Sequence, residues 1–126
     1  MGARFINTDL EIAARFDIRP LVRTLEGAGL VALGDPKARG GVWSAVLESS
    51  LVRPTPSLAT HKLLCAVEAL DGAERDAWSK CLRRDFNFGF ETELSVLWTV
   101  TDSKAELLGR IVAVGGAIRF TTYSAR

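Results

Sequence analysis

Arg83-Arg84-Asp85-Phe86-Asn87-Phe88-Gly89-Phe90-Glu91 is the stretch on which the fold turns. Its three phenylalanines recur at every second position, which is the period of a β-strand, so all three point to one face. No other segment concentrates as much apolar surface in so few residues. The stretch follows a long helical region, and the sequence predicts that much of the chain packs around it.

Working outward, Phe5 to Ile12 also alternates, with Ile6, Leu10 and Ile12 on one side and Asn7, Asp9 and Glu11 on the other. That pattern predicts a strand with one buried and one wet face. Asp17 is placed to cap a helix carrying Ile18, Leu21, Val22 and Leu25, with Pro20 in its first turn and Gly27 and Gly29 at its end. Leu30 to Leu33 reads as a short strand, Gly34 to Gly41 as a hairpin loop, and Val42 to Ser50 as a strand apolar on both sides and therefore central or covered at both faces. Thr55 before Pro56 is a strong helix start. The helix it opens bears Leu63, Leu64, Val67 and Leu70, and Asp71 with Glu74 predicts a capping box for a second piece carrying Ala77, Trp78, Cys81 and Leu82.

Beyond the phenylalanines, Leu94 to Thr101 alternates around Trp98, and Thr92-Glu93 fits a tight turn. Asp102 or Ser103 then caps a helix with Leu107, Leu108, Ile111 and Val112, ended by Gly115-Gly116. A last strand alternates Ile118, Phe120 and Thr122 with Arg119, Thr121 and Tyr123. The order β-α-β-β-α-α-β-β-α-β predicts a single α+β domain over residues 1–126. It is a two-layer sandwich with a largely antiparallel sheet of about six strands and helices on one face, ferredoxin-like in its first part.

Composition narrows the function classes. The 126 residues are 48% hydrophobic and 25% charged, an ordinary globular mixture for one core. Sixteen basic against fifteen acidic side chains give a formal charge of +1, too little to steer a polyanion or an anionic membrane. No apolar run approaches the roughly 20 residues of a membrane helix, and Met1 leads directly into a strand pattern without a signal sequence. Cys65 and Cys81 fall in helical patterns and form no disulfide framework. A cytoplasmic protein is the expectation.

Several motifs suggest chemistry. Arg84-Asp85-Phe86-Asn87-Phe88 has the rhythm of an RNA-recognition strand, in which aromatics stack on bases. Asp85 and Asn87 stand where that motif has glycine and a small residue, and the element order differs, so the sequence favours core phenylalanines over nucleic-acid binding. His61 and Cys65 are four apart, a spacing for two metal ligands. His61 is the only histidine, however, and a half-buried histidine beside a core cysteine is the simpler reading. Lys37 and Arg39 in the glycine-rich loop offer a weak phosphate cradle, and Asp9 and Glu11 a carboxylate pair. Neither a P-loop nor a GxSxG elbow occurs.

The tail Thr101-Asp102-Ser103-Lys104-Ala105-Glu106-Leu107-Leu108, continuing through Gly115-Gly116-Ala117-Ile118 to Tyr123, resembles the end of an uncharacterised bacterial family of small α+β domains. There a helix of the S-x-x-x-L-L-x-x-I kind, a G-A pair and a strand closing on tyrosine complete the domain. Gly40-Gly41-Val42-Trp43-Ser44 before a long helix is also similar. The resemblance implies the same fold class and carries over no catalytic residue; some domains of this sort are suspected immunity or toxin-neutralising proteins.

The expected function is thus a non-enzymatic binding or protein-interaction domain, possessing no catalytic set, cofactor or metal. Its expected surface is the open sheet face bearing Asp9, Glu11, Arg119 and Tyr123, joined by Trp43 or Trp98 if either turns outward. A protein partner or a homodimer would occupy it. The alternative is a small-molecule binder or small enzyme in which those four side chains converge.

Overall fold

A computed structural model describes residues 4–52, 54–91 and 104–123. The described elements run β1 (Arg4–Ala14), α1 (Arg19–Gly27), β2 (Leu30–Ala32), β3 (Lys37–Arg39), β4 (Val42–Ser49), α2 (Pro56–Glu68), α3 (Gly72–Ser79), β5 (Arg83–Glu91), α4 (Lys104–Ala113) and β6 (Ala117–Tyr123). This is an α+β fold with an open sheet ordered β2-β4-β1-β5-β6, in which β3 also pairs with β4. All pairings are antiparallel except β5 with β6, which run parallel. The expected strand over 94–101 with Trp98, the turn at Thr92-Glu93 and the cap at Asp102 or Ser103 lie outside the described residues.

Alternation decides which face is covered. Thr8, Leu10 and Ile12 of β1, Leu47 of β4 and Phe86, Phe88 and Phe90 of β5 are all buried on the side where α1, α2, α3 and α4 pack. Leu10 registers with both Leu47 and Phe86, so the central three strands present one continuous apolar surface. α2 lays Leu63, Leu64 and Val67 on it, α1 adds Leu21, Val22 and Leu25, and α4 adds Leu107 and Ile111. Phe88 stacks on Phe120 of β6 with ring centroids 5.6 Å apart, and Phe5 meets Phe90 edge-on at the same separation.

Several expectations are corrected. Ile6 is 43% exposed, because a register shift between Phe5 and Asn7 inserts one residue and hands the core position to Phe5. The Gly34 to Gly41 loop contains a strand: Lys37, Ala38 and Arg39 pair with Ser44, Trp43 and Val42. Asp71 occupies the N-cap of α3 but makes no side-chain capping bond, so no capping box forms there. Leu82 and Val112 are exposed rather than core: α3 ends at Ser79, so Leu82 lies beyond it, and Val112 falls outside the inward arc of α4. Thr55 caps α2 as expected, accepting from the Leu58 amide at 3.2 Å.

One side chain joins the ends of two helices. Arg84 donates through Nη1 to the carbonyls of Trp78, Ser79 and Cys81 at 2.9–3.1 Å and through Nε to Gly115 at 2.8 Å. Carbonyls at helix C-termini lack intrahelical donors, and a cation there also opposes the negative end of the helix dipole. Trp78 adds a bond from Nε1 to the Val114 carbonyl at 2.8 Å. Gly115 turns α4 through positive φ, and the Gly116 amide returns to Ile111 at 2.9 Å, closing a Schellman motif. A methyl on Gly116 would sit 2.8 Å from Phe86 Cε1 and 3.0 Å from Ile111 Cγ2.

Phe86→Ala is expected to cost about 3–5 kcal/mol in urea melts through the cavity it leaves; a loss below about 1 kcal/mol would contradict a core position. Gly116→Ala, which drives a methyl into the buried Phe86 ring, is expected to cost about 1–3 kcal/mol by the same measurement.

Candidate functional site: the open face of the sheet

The residues alternating with the buried set form the opposite face of the sheet. β1 contributes Asn7, Asp9 and Glu11, β4 contributes Glu48, β5 contributes Arg83, Asp85 and Asn87, and β6 contributes Arg119, Thr121 and Tyr123. Strand register fixes their neighbours: Asp9 lies between Glu48 and Asn87, while Glu11 lies opposite Asp85. Asn87 in turn registers with Arg119.

The β5–β6 half of this face is internally paired. Arg119 Nη1 lies 3.6 Å from Glu11 Oε1 and 3.4 Å from Asp85 Oδ2. Arg83 reaches the same two carboxylates at 3.8 and 3.5 Å. Asn87 donates to Glu11 Oε2 at 2.9 Å and accepts from the Thr121 hydroxyl at 2.8 Å. Asp85 and Asn87 are both buried although, among the described residues, no helix lies over them. Alternating charges two strands apart satisfy one another here.

The β1–β4 half differs. Asn7 donates to Glu48 Oε2 at 2.7 Å and accepts the Thr8 amide at 2.9 Å, so its side chain is fully engaged. Among the described residues, no donor reaches the Asp9 carboxylate. Burial, then the neighbouring Glu48 carboxylate, then Glu11 push the Asp9 carboxyl from its ordinary 3.8 up to about 6. Asp9 is thus a half-buried anion beside two others whose hydrogen-bond donors are already committed.

All four residues expected on this surface are there, but they do not converge. Glu11 and Arg119 meet, and Asp9 follows Glu11 along β1. Tyr123 lies over Gly89, where an added methyl would stand 3.6 Å from Tyr Cε2. Among the described residues, no hydrogen bond or ion pair joins Tyr123 to the other three. Trp43 is not part of the face. It registers with Ala14 on the helical side, partly buried, with the Arg19 guanidinium 5.0 Å from its ring centroid. Phe86 and Phe88 are 0% and 3% exposed and cannot stack on bases. Lys37 and Arg39 are exposed on β3. Surface depressions beside α1, one lined by Arg23 and Asp35 and another by Phe16 and Ala77, lie away from this face.

The sequence reading passed over Glu48, Asp85 and Asn87 as site residues. The signal was present in β5, where the alternation that buries three phenylalanines sends Asp85 and Asn87 to the other face. His61 and Cys65 are both exposed, on the outer side of α2, rather than half-buried beside the core. Among the described residues, no three His, Cys, Asp or Glu side chains gather as metal ligands, and no helix is long and apolar enough to cross a membrane. Comparisons of the chain with protein-family models, curated proteins and solved structures found no match.

The displaced Asp9 titration has a definite sign. Below pH 3.8 Asp9 holds its proton in both folded and unfolded chains and costs nothing. As the pH rises toward about 6 the unfolded chain ionises first, and the folded state loses stability by an amount that is constant above that value. Discounted for partial exposure, the penalty is about 1–2 kcal/mol. Asp9→Asn is therefore expected to stabilise the protein by that amount in urea melts at pH 7.5, with the gain vanishing by about pH 4. A variant equal to or weaker than the parent at pH 7.5 would show that the carboxylate is not strained.

Proposed function

We propose that the protein is a non-enzymatic binding domain whose open sheet face receives a positively charged segment of a protein partner. Asp9 carries this reading: an anion held at a cost to folding, beside Glu48 and Glu11 and without a donor among the described residues, is stabilised when a guanidinium or ammonium reaches it. Binding removes more water from such a group and strengthens the charge attraction as it does so. The paired quartet of Glu11, Asp85, Arg83 and Arg119 beside it gives the face a fixed charge pattern that sets orientation more than affinity.

The layout supports binding over chemistry. General acid–base work needs groups that share a reacting atom, and Glu11 and Arg119 are spent on each other and on Asp85. Self-association through this face would bring Asp9 and Glu48 of two copies together, so a partner of opposite charge fits better than a second copy. The suspected membership in a bacterial family with immunity-like members belongs to the same proposal, as does a cytoplasmic setting. So does a ferredoxin-like course for the first part of the chain, a reading supported by the β2-β4-β1-β5 order with antiparallel pairings.

A tetra-arginine peptide serves as the probe. Titrated at low salt and pH 7.5, it is expected to shift the amide NMR signals of Asn7, Asp9 and Glu48 saturably. The effect should weaken severalfold in Asp9→Asn and fall as salt rises. Shifts scattered over the surface, or unaltered by Asp9→Asn, would reject the site. Light scattering of the free protein is expected to return one chain's mass of 13.7 kDa.

A further inference from the structure

The outer side of α2 carries a second cluster that the sheet face does not involve. His61, Cys65 and Glu68 follow one another at i, i+4 and i+7, and Arg110 of α4 lies across all three. Arg110 donates to Glu68 through Nε at 3.0 Å and Nη2 at 2.6 Å, and its Nη1 lies 2.9 Å from His61 Nδ1. Cys65 Sγ is 3.4 Å from His61 Nε2 and 4.0 Å from Arg110 Nη2.

The geometry fixes the direction of each bond. A guanidinium has donors only, so His61 Nδ1 must accept, and the ring proton resides on Nε2. That N–H is then aimed at Cys65 Sγ, which also faces the Arg110 fork. Cys65 is exposed, while one nitrogen donor from its own helix and one from α4 face its sulfur. Thiolate is the attacking species in disulfide exchange, and both donors face the atom that attacks. The Arg110–Glu68 fork holds the arrangement, since Arg110 keeps the Glu68 carboxyl below the usual carboxylate range.

Cys81 provides the contrast within the same chain. It is buried, its Sγ donates to the Ala77 carbonyl at 3.4 Å, and burial pushes its thiol up.

We propose that Cys65 is a thiol–disulfide exchange site that takes small-molecule disulfides, with His61 and Arg110 as positioning residues. The Cys65 thiolate attacks one sulfur of the disulfide, a new S–S bond forms to Cys65, and the original S–S bond breaks. The second sulfur leaves as a thiolate and takes the proton that Cys65 gave up. Oxidation of Cys65 is balanced by reduction of the departing thiol.

Oxidised glutathione is the probe, with mass spectrometry of peptides to locate adducts. The folded full-length protein is expected to gain one glutathione, on Cys65 and not on Cys81. Its rate should be at least about threefold above that of the same cysteine in the urea-unfolded chain, because only the fold brings the His61 and Arg110 N–H groups to the attacking sulfur. His61→Phe and Arg110→Gln, checked for native circular dichroism, should each remove that excess. A folded-state rate equal to or below the unfolded one overturns the proposal without recourse to any variant, as does a rate unchanged in His61→Phe.

Discussion

Everything in this fold depends on β5 having two unlike faces. Phe86, Phe88 and Phe90 can leave water only on the side where helices lie, so the alternate residues are committed to the other side whatever their chemistry. Because β5 sits between β1 and β6, its polar side chains fall within reach of those of both neighbours. The core therefore builds the charged face as a by-product of its own packing. Burying the three rings removes several hundred Å² of apolar surface, worth of order 10 kcal/mol before entropy, which leaves room for a costly group on the far side.

The polar face distributes its costs unevenly. On the β5–β6 half, each carboxylate has an arginine or amide near it, and the buried Asn87 has both ends of its side chain occupied. On the β1–β4 half, Asn7 serves Glu48, and Asp9 is left to two like charges. The proposed cationic partner would supply the donor that this half lacks among the described residues. Free thiols show the same division of labour: Cys81 is packed away, whereas Cys65 stands among donors on an exposed helix side.

Much of this was legible from the amino-acid order, and the reasons are local. The period-two pattern gave the correct faces for β5 and for β1 from Asn7 onward because these stretches have one side turned to the core and the other to the polar face. What escaped were features without a local signal. Lys37-Ala38-Arg39 has no apolar pattern and is a strand only because β4 offers it backbone partners. The extra residue at Ile6 shifts the phase of β1, which alternation alone cannot register. Asn87 meets Glu11 across 76 positions, so the site is a product of strand order rather than of any motif. The exposure of His61 and Cys65 follows from helix phase relative to Leu63, Leu64 and Val67, but the arrival of Arg110 from 45 residues beyond Cys65 does not.

Arg84 has a consequence for how the molecule opens. Among the described residues, 104–123 attach through the β5–β6 pairing, the α2–α4 contact, the Arg119 ion pairs, the fork at Gly115 and the Trp78–Val114 bond, and the last two also engage the end of α3. Opening fluctuations that release the α4–β6 unit therefore break the Trp78–Val114 bond and one arm of the Arg84 fork in the same step. Two segments separated in sequence are thereby made to fray as one cooperative unit, with amide exchange in α3 tracking that of α4 instead of that of its sequence neighbour α2.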